Sequence, residues 1–544
     1  MHQNPQSTVV RRRLVTTLAV TGSILLTAAC GPGGVGTAGS SGGSTPKAGG
    51  TLTFAVGSYA GCVDPQQVGS NDTIYALRQI VDSLTDQDPA TGKIVPWLAE
   101  RWEVSQDART FTFHLRPGAT FSDGTPVDAQ AVKDTFDAAP KLGAKASLAI
   151  GYLSGYTGTK VVDKLTAAVS FKQPNAQFLQ ATSTFSLGLV SPASARKTAD
   201  QRCTEGIAGS GPFTLEGYKA NQSITLARRG GYNWGSSLWR KPGEAYLDKV
   251  VFTIVPEAGV RTGSLQSGQV DAIGSVGLAD ESALRSGGAV DLRARANPGV
   301  VFNLGLNNSR PLLREPAVRQ AIQAAINRQE IVKAIYPTGS KPATSVLAHT
   351  TPFYTDLGAR LAFDPGKATS LLDAAGWRPG ADGIRAKDGT RLSLTVVWFP
   401  VAATIQPTLE LIQQQLKAAG VEIQLREIPV TQIVGVQQSG DFDALWGNIT
   451  RADPDILRSS YSTALANAYR IKPGKLETVL NEQAATTDAT KRQALVAEAQ
   501  RLIVENAYVV PVVELTTELG VAKRVHDLDF EASSRIQLHD TWKS

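Results

Sequence analysis

What this chain has little of narrows its chemistry first. Its 544 residues hold three cysteines, one methionine and five histidines. The histidines (His2, His114, His349, His526 and His539) are scattered, and neither H-E-x-x-H nor C-x-x-C occurs. Ligands at zinc spacing are therefore missing. No G-x-S-x-G elbow sits on a strand-to-helix turn, and no G-x-x-x-x-G-K-[ST] phosphate loop is present. The chain does not read as its own ATPase, and no cofactor is expected. Carboxylate pairs for glycoside hydrolysis stay open, because such pairs meet only in a fold. The formal charge is +6 without a long basic run, which is not the concentrated stripe of a nucleic-acid binder. Beyond the first 30 residues no apolar run reaches the roughly 20 residues of a membrane span. No internal repeat is visible.

What is there begins with an address. Arg11, Arg12 and Arg13 precede Leu14 to Ala29, which carry no charge. A basic start, an apolar middle and small residues at the cut predict a signal peptide over 1–29, on the general secretory route. Leu26-Thr27-Ala28-Ala29-Cys30 resembles the lipobox of bacterial lipoproteins, with Thr27 where leucine is usual. That resemblance implies lipidation of Cys30. The alternative is an ordinary signal peptide with an incidental cysteine. Residues 30–50 are Gly/Ser-rich and read as a flexible tether. The literal G-x-G-x-x-G at Gly31, Gly33 and Gly36 has no strand before it and no helix after it, so it is no dinucleotide site. Two cysteines remain, Cys62 and Cys203. An even number in an exported protein predicts a disulfide; two separate buried thiols are the alternative.

Residues 51–544 are enough for two or three lobes. Strand and helix signals alternate, which gives the class α/β with mixed sheets. Residues 49–56 read as a strand. Phe111, Phe113 and Leu115 alternate with Thr110, Thr112 and His114, as in a half-buried strand. Asp123-Gly124 reads as a turn and Asp128 as the cap of a helix to about Ala139. A strand over 247–255, a helix ending near Gly268 and a short strand over 270–274 follow. Pro316 opens a helix expected to run from 316 to 336, with Val318, Ile322, Ala325 and Ile326 on one face. Residues 392–399, 408–420 and 421–428 form a strand, helix, strand unit closed by Gly420.

Five ordered blocks carry a resemblance. They begin with YALRQIVDSLTDQDPATGKIVPWLAERWEVSQDARTFTFHLRPGATFSDGTPVDAQAVKDTF (75–136) and GSGPFTLEGYKANQSITLARRGGYNWG (209–235). YLDKVVFTIVPEAGVRTGSLQSGQVDAI, FNLGLNNSRPLLREPAVRQAIQAAINRQEIV and FDPGKATSLLDAAGW follow. Together they resemble the family 5 extracellular solute-binding proteins, the oligopeptide, dipeptide and nickel receptors of ABC importers. The resemblance implies a periplasmic-binding-protein-like (type II) fold, three-lobed, with a hinged ligand cleft. Lobe I is expected over 51–75, 190–300 and 505–544, lobe II over 76–189, and lobe III over 301–504. It also implies an ABC permease and ATPase as separate chains. The protein is then a monomer, held by its lipid alone at the outer face of the cytoplasmic membrane.

In peptide-binding members one cleft segment supplies an aspartate to the ligand's α-amine. The matching stretch here is DALWGNITRADPDIL (443–457), in which Trp446, Asp453 and Pro454 agree. The amine-binding aspartate falls at Thr450-Arg451. Neither is a carboxylate, and an ammonium buried without a partner is costly. The ligand is therefore expected to lack that amine, or to carry an acid that meets Arg451. The bland alternative has Arg451 in solvent or paired with Asp453 or Asp455. Trp446 and Asn448 are cleft candidates, as are Tyr59, Asn303 and Trp398 by position, with Asn307 beside them; core packing is the competing role of each. The expected function is capture of a small solute, peptide or peptide-like, for a permease. A surface sensor of signalling peptides and a secreted carboxylate-dependent hydrolase are the rivals.

Overall fold

The computed structural model describes residues 45–544, except Ala60, Ala144, Lys145, Val401 and Ala466. Cys30 and nearly all of the tether therefore lie outside the described residues. Three larger sheets organise the chain. The first has seven strands, in the order Val290–Ala296, Thr516–Ala522, Ala272–Gly274, Thr51–Val56, Lys249–Ile254, Ser223–Arg228 and Phe213–Lys219. Thr51–Val56 lies at its centre, parallel to both of its neighbours. Leu52, Phe54, Val250, Phe252 and Leu226 fill the core on its inner face.

The second sheet has four antiparallel strands, Ala99–Val104, Thr110–Leu115, Thr166–Phe171 and Tyr156–Asp163. Phe111, Phe113 and Leu115 are buried and their neighbours half-buried, as the alternation requires. Helix Ala129–Ala138 packs beside it, started by the Asp128 carboxylate, which accepts from Ala131 N at 3.0 Å. The third sheet has five strands, in the order Glu422–Glu427, Ser393–Trp398, Ala444–Thr450, Gly299–Leu306 and Val509–Val513.

Two short connectors carry the chain between the seven- and five-stranded sheets: Asn297-Pro298 on the way out and Glu514-Leu515 on the way back. They are stitched together. Asn297 N donates to Leu515 O at 2.7 Å, and Thr517 Oγ1 donates to Asn297 Oδ1 at 2.7 Å.

Three expectations change. Val509–Val513 pairs with Gly299–Leu306, so the chain's return to the first lobe falls after 513 rather than at 505. Tyr232 and Trp234, assigned by position to that lobe, pack in the core around the four-stranded sheet. The helix expected over 316–336 is two helices, Pro316–Ala324 and Arg328–Ile335. Asn327 restarts the second by accepting from Glu330 N at 3.2 Å. The break lets the buried Arg328 reach the carbonyls of Ile326, Gln323, Leu361 and Pro511. A side chain that needs four backbone acceptors overrides helix periodicity here. A disulfide joins Cys62 to Cys203, 141 residues apart. Among the described residues no helix is long and apolar enough to cross a membrane.

Candidate functional site

The strand Ala444–Thr450 outruns one of its neighbours. Ser393–Trp398 meets it only at Ala444 and Leu445, whereas Gly299–Leu306 follows it to Thr450. Among the described residues, 446–450 are therefore paired along one edge, apart from the bulge, and have no strand partner along the other. The close approach at the far end depends on Gly299. Its φ is +115°, and a Cβ there would stand 2.6 Å from Arg451 N, so no other residue is accommodated.

The chain then turns through Arg451, Ala452 and Asp453, all buried. Asp453 is held by Arg492, with Nη1 and Nη2 donating at 3.0 and 2.6 Å. Asp455 is held by Arg458, with Nε and Nη2 donating at 2.7 and 2.8 Å, and by Gln483. Neither carboxylate pairs with Arg451. That guanidinium lies over the Tyr152 ring at 4.4 Å, and Nη1 makes one long contact, 3.4 Å, to Ser459 Oγ. Its Nε is buried without an acceptor. Gly151 leaves room for it, since a Cβ there would sit 2.9 Å from Nη2.

A second arginine faces the same space. Arg535 donates from Nη1 to Ser533 O at 3.1 Å and packs on Phe185, and its Nε is also buried without an acceptor. Glu531, the acid whose charge acts on it, is bonded to Arg78 at 2.9 Å. Burial lowers the Arg535 pKa. Burial raises that of Tyr152, against the two arginines, which lower it. Arg451, Arg535, Tyr152, Thr450, Thr184 and Ser186 line an enclosed cavity of about 20 Å³, room for about one water. A wider opening of about 310 Å³ adjoins it at Ala452, bounded by Asp88, Arg295, His349 and Ala532.

A family model, "Bacterial extracellular solute-binding proteins, family 5 Middle", matches residues 93–468. The chain belongs to this family. As a family 5 solute-binding protein it is a binding protein and not an enzyme, which removes the hydrolase reading. It is 27% identical over 468 residues to the nickel-binding periplasmic protein of Escherichia coli K12, covering 82% of this chain and 87% of that one. It is 25% identical over 510 residues to di/tripeptide-binding protein 1 of Pseudomonas aeruginosa, covering 87% and 90%. NikA from Brucella suis, solved with Fe(III)-EDTA, shares the fold at TM-score 0.79 and 24% identity, over 91% of this chain and 100% of that one. So does the ABC transporter-associated DppA from Helicobacter pylori, solved with the peptide STSA, at TM-score 0.73 and 22% identity, over 91% and 98%. These likenesses place the fold in the type II periplasmic-binding class.

Of the candidate residues in this solute-binding protein, only Thr450 and Arg451 line the enclosed cavity. Asn448 is half-buried on the open-edged stretch. Trp446 is not a stacking surface for a ligand: it is 1% exposed and stacked on Phe302 at 5.4 Å. Trp398 lies in the same core. Asn303 is buried and bridges the bulge between the two strands, donating from Nδ2 to Val301 O and Gly447 O. Asn307 donates to Gly440 O and Phe442 O. Tyr59 donates to Cys62 O at 2.6 Å and packs on Tyr218, away from the cavity. Tyr152 and Arg535 were missed by sequence reasoning. Neither stands in a motif, and the only signal was a lone arginine in an otherwise uncharged 532–538.

Proposed function

We propose that this solute-binding protein captures a peptide-like solute outside the membrane and delivers it to the permease of an ABC importer. The observation that carries the reading is the open strand edge at 446–450, beside the junction of the three sheet-bearing regions. Such an edge takes an extended, amide-bearing ligand through main-chain hydrogen bonds. The known relatives point the same way, since two of them are named for peptide or nickel binding and one structure is described as ABC transporter-associated.

The segment offers no carboxylate to an α-amine. Thr450 and Arg451 stand where one is expected, and Asp453 and Asp455 are taken by Arg492 and Arg458. Recognition of a free peptide N-terminus at this place is therefore absent. Cys30 supplies the lipid anchor and residues 31–50 the reach to the permease, with permease and ATPase as separate chains and the receptor a monomer.

Solute uptake in cells lacking the cognate permease tests this. Import by the wild type, abolished by deletion of either receptor or permease, is the expected result. A response to the solute that survives permease deletion would favour the sensor instead.

A further inference from the structure

The protein contains its own standard for a structural arginine. Arg328 is buried, and its guanidinium donates to four carbonyls, of Gln323, Ile326, Leu361 and Pro511. Arg319 likewise reaches the carbonyls of Leu313, Arg314 and Asn506. Arg492 and Arg458 hold carboxylates. Each of these charges is matched by fixed acceptors, as burial demands.

Arg451 and Arg535 are built differently. They are 8% and 6% exposed. Their fixed acceptors are one backbone carbonyl and one distant hydroxyl, with the Tyr152 hydroxyl beside Arg451 and the charge of Glu531, already bonded to Arg78, acting on Arg535. Both Nε atoms are buried and unpaired. No carboxylate of the described residues lies within 4.0 Å of either guanidinium, because Asp453, Asp455 and Glu531 are occupied by Arg492, Arg458 and Arg78. Yet the two line one cavity. Two cations lining one small cavity, both short of fixed acceptors, favour an anion between them. Thr450, Ser186 and Tyr152 border the same space and carry hydroxyls suited to an oxyanion.

We propose that this cavity, which at about 20 Å³ must widen to admit more than a water, is an acid-binding site: the solute carries a carboxylate, which enters between Arg451 and Arg535 beside Tyr152. The proposal rests on the receptor reading and names the class of its cargo. Guanidinium and carboxylate match as paired donors and acceptors. The two arginines also come from different parts of the molecule. Arg451 follows the five-stranded sheet, Arg535 belongs to the C-terminal segment packed on the seven-stranded one, and Tyr152 ends helix Ser147–Tyr152. A carboxylate here ties all three together and removes the repulsion between two like charges brought near by closure. The solute's acid is then the group that favours the closed form.

The test uses the full mature protein and the variants Arg451→Met and Arg535→Met. After unfolding and refolding to remove retained solute, each variant is expected to melt a few degrees above the wild type, because an uncompensated buried charge is gone. Native mass spectrometry after exposure to a small-molecule extract of the growth medium is expected to show a retained acid on the wild type. Its affinity should fall roughly 30-fold or more in either variant, the scale of losing one partner of a buried charge pair. A retained solute that is neutral or cationic at pH 7 overturns the proposal. So does a lower melting temperature in both variants, and this arm decides the matter if no solute is retained. Acid binding without permease-dependent uptake would sink the receptor reading and leave the acid site standing.

Discussion

Asp453 takes both of its guanidinium hydrogen bonds from Arg492, on helix Ala489–Glu505, and none from Arg451, two residues before it in the chain. This pairing frees Arg451 for the cavity and makes Asp453 structural. The buried pair is expected to tolerate loss of one partner badly. Asp453→Asn leaves Arg492 without a counter-charge and should cost about 3–5 kcal/mol of unfolding free energy, read by urea denaturation. A cost under about 1 kcal/mol would show that the pair is not shielded as the structure places it.

Gly151 is a spacing residue for the site. A methyl there meets Arg451 Nη2 at 2.9 Å, so Gly151→Ala should displace the guanidinium from the Tyr152 ring. Binding of the carboxylate solute is expected to weaken about tenfold or more, the loss of one charge-assisted bond. The melting temperature should change little. Calorimetry on wild type and variant separates this from general damage, which would lower both.

Glu518 links stability to pH. Burial, then the hydrogen bond and charge of Glu281, push its pKa from 4.5 to about 8. Glu281 meanwhile accepts from Thr338 N and Oγ1, at 3.1 and 2.8 Å, and has a lowered pKa. A raised carboxyl pKa means that the folded state holds the proton more tightly. The contribution is therefore fully present below about pH 4.5, and it declines as pH rises to about 8. Glu518→Gln keeps a neutral donor and should flatten the slope between those values. An unchanged pH profile of the melting temperature in this variant would refute the assignment.

The Cys62–Cys203 bridge closes a loop of 141 residues. Titration of the unfolded, unreduced mature protein should find neither of these thiols free. Reduction is expected to cost roughly 2–5 kcal/mol, mainly by loosening the unfolded chain. Equal denaturation midpoints with and without reductant would show that the bridge does not form.

The fold was legible where local chemistry decides it. The alternation of Phe111, Phe113 and Leu115, the Asp128 cap and the glycine at 420, with φ +85°, each needs only a few neighbouring residues. Long-range demands were not legible. The break at Ala325–Asn327 has a local cap in Asn327, but it also serves Arg328, which bonds to Pro511 and Leu361, far away in sequence. The site divides in the same way. Arg451 stands out because an expected acid is missing there. Arg535 and Tyr152 reach it from 84 positions later and 299 earlier in the chain, a meeting that only tertiary packing creates. Trp398 and Tyr59 failed as candidates for the converse reason: nearness to a cleft along the chain does not say which way a side chain faces.

The stitched connectors at Asn297 and Leu515 have a mechanical meaning. Two adjacent crossings behave as an axle rather than a pair of struts. Turning one sheet against the other about that line costs changes in a few backbone dihedrals, while sliding them apart would tear the Asn297 bonds. Such a turn would also strain the bonds from Thr338 to Glu281, which join the same two regions away from that line.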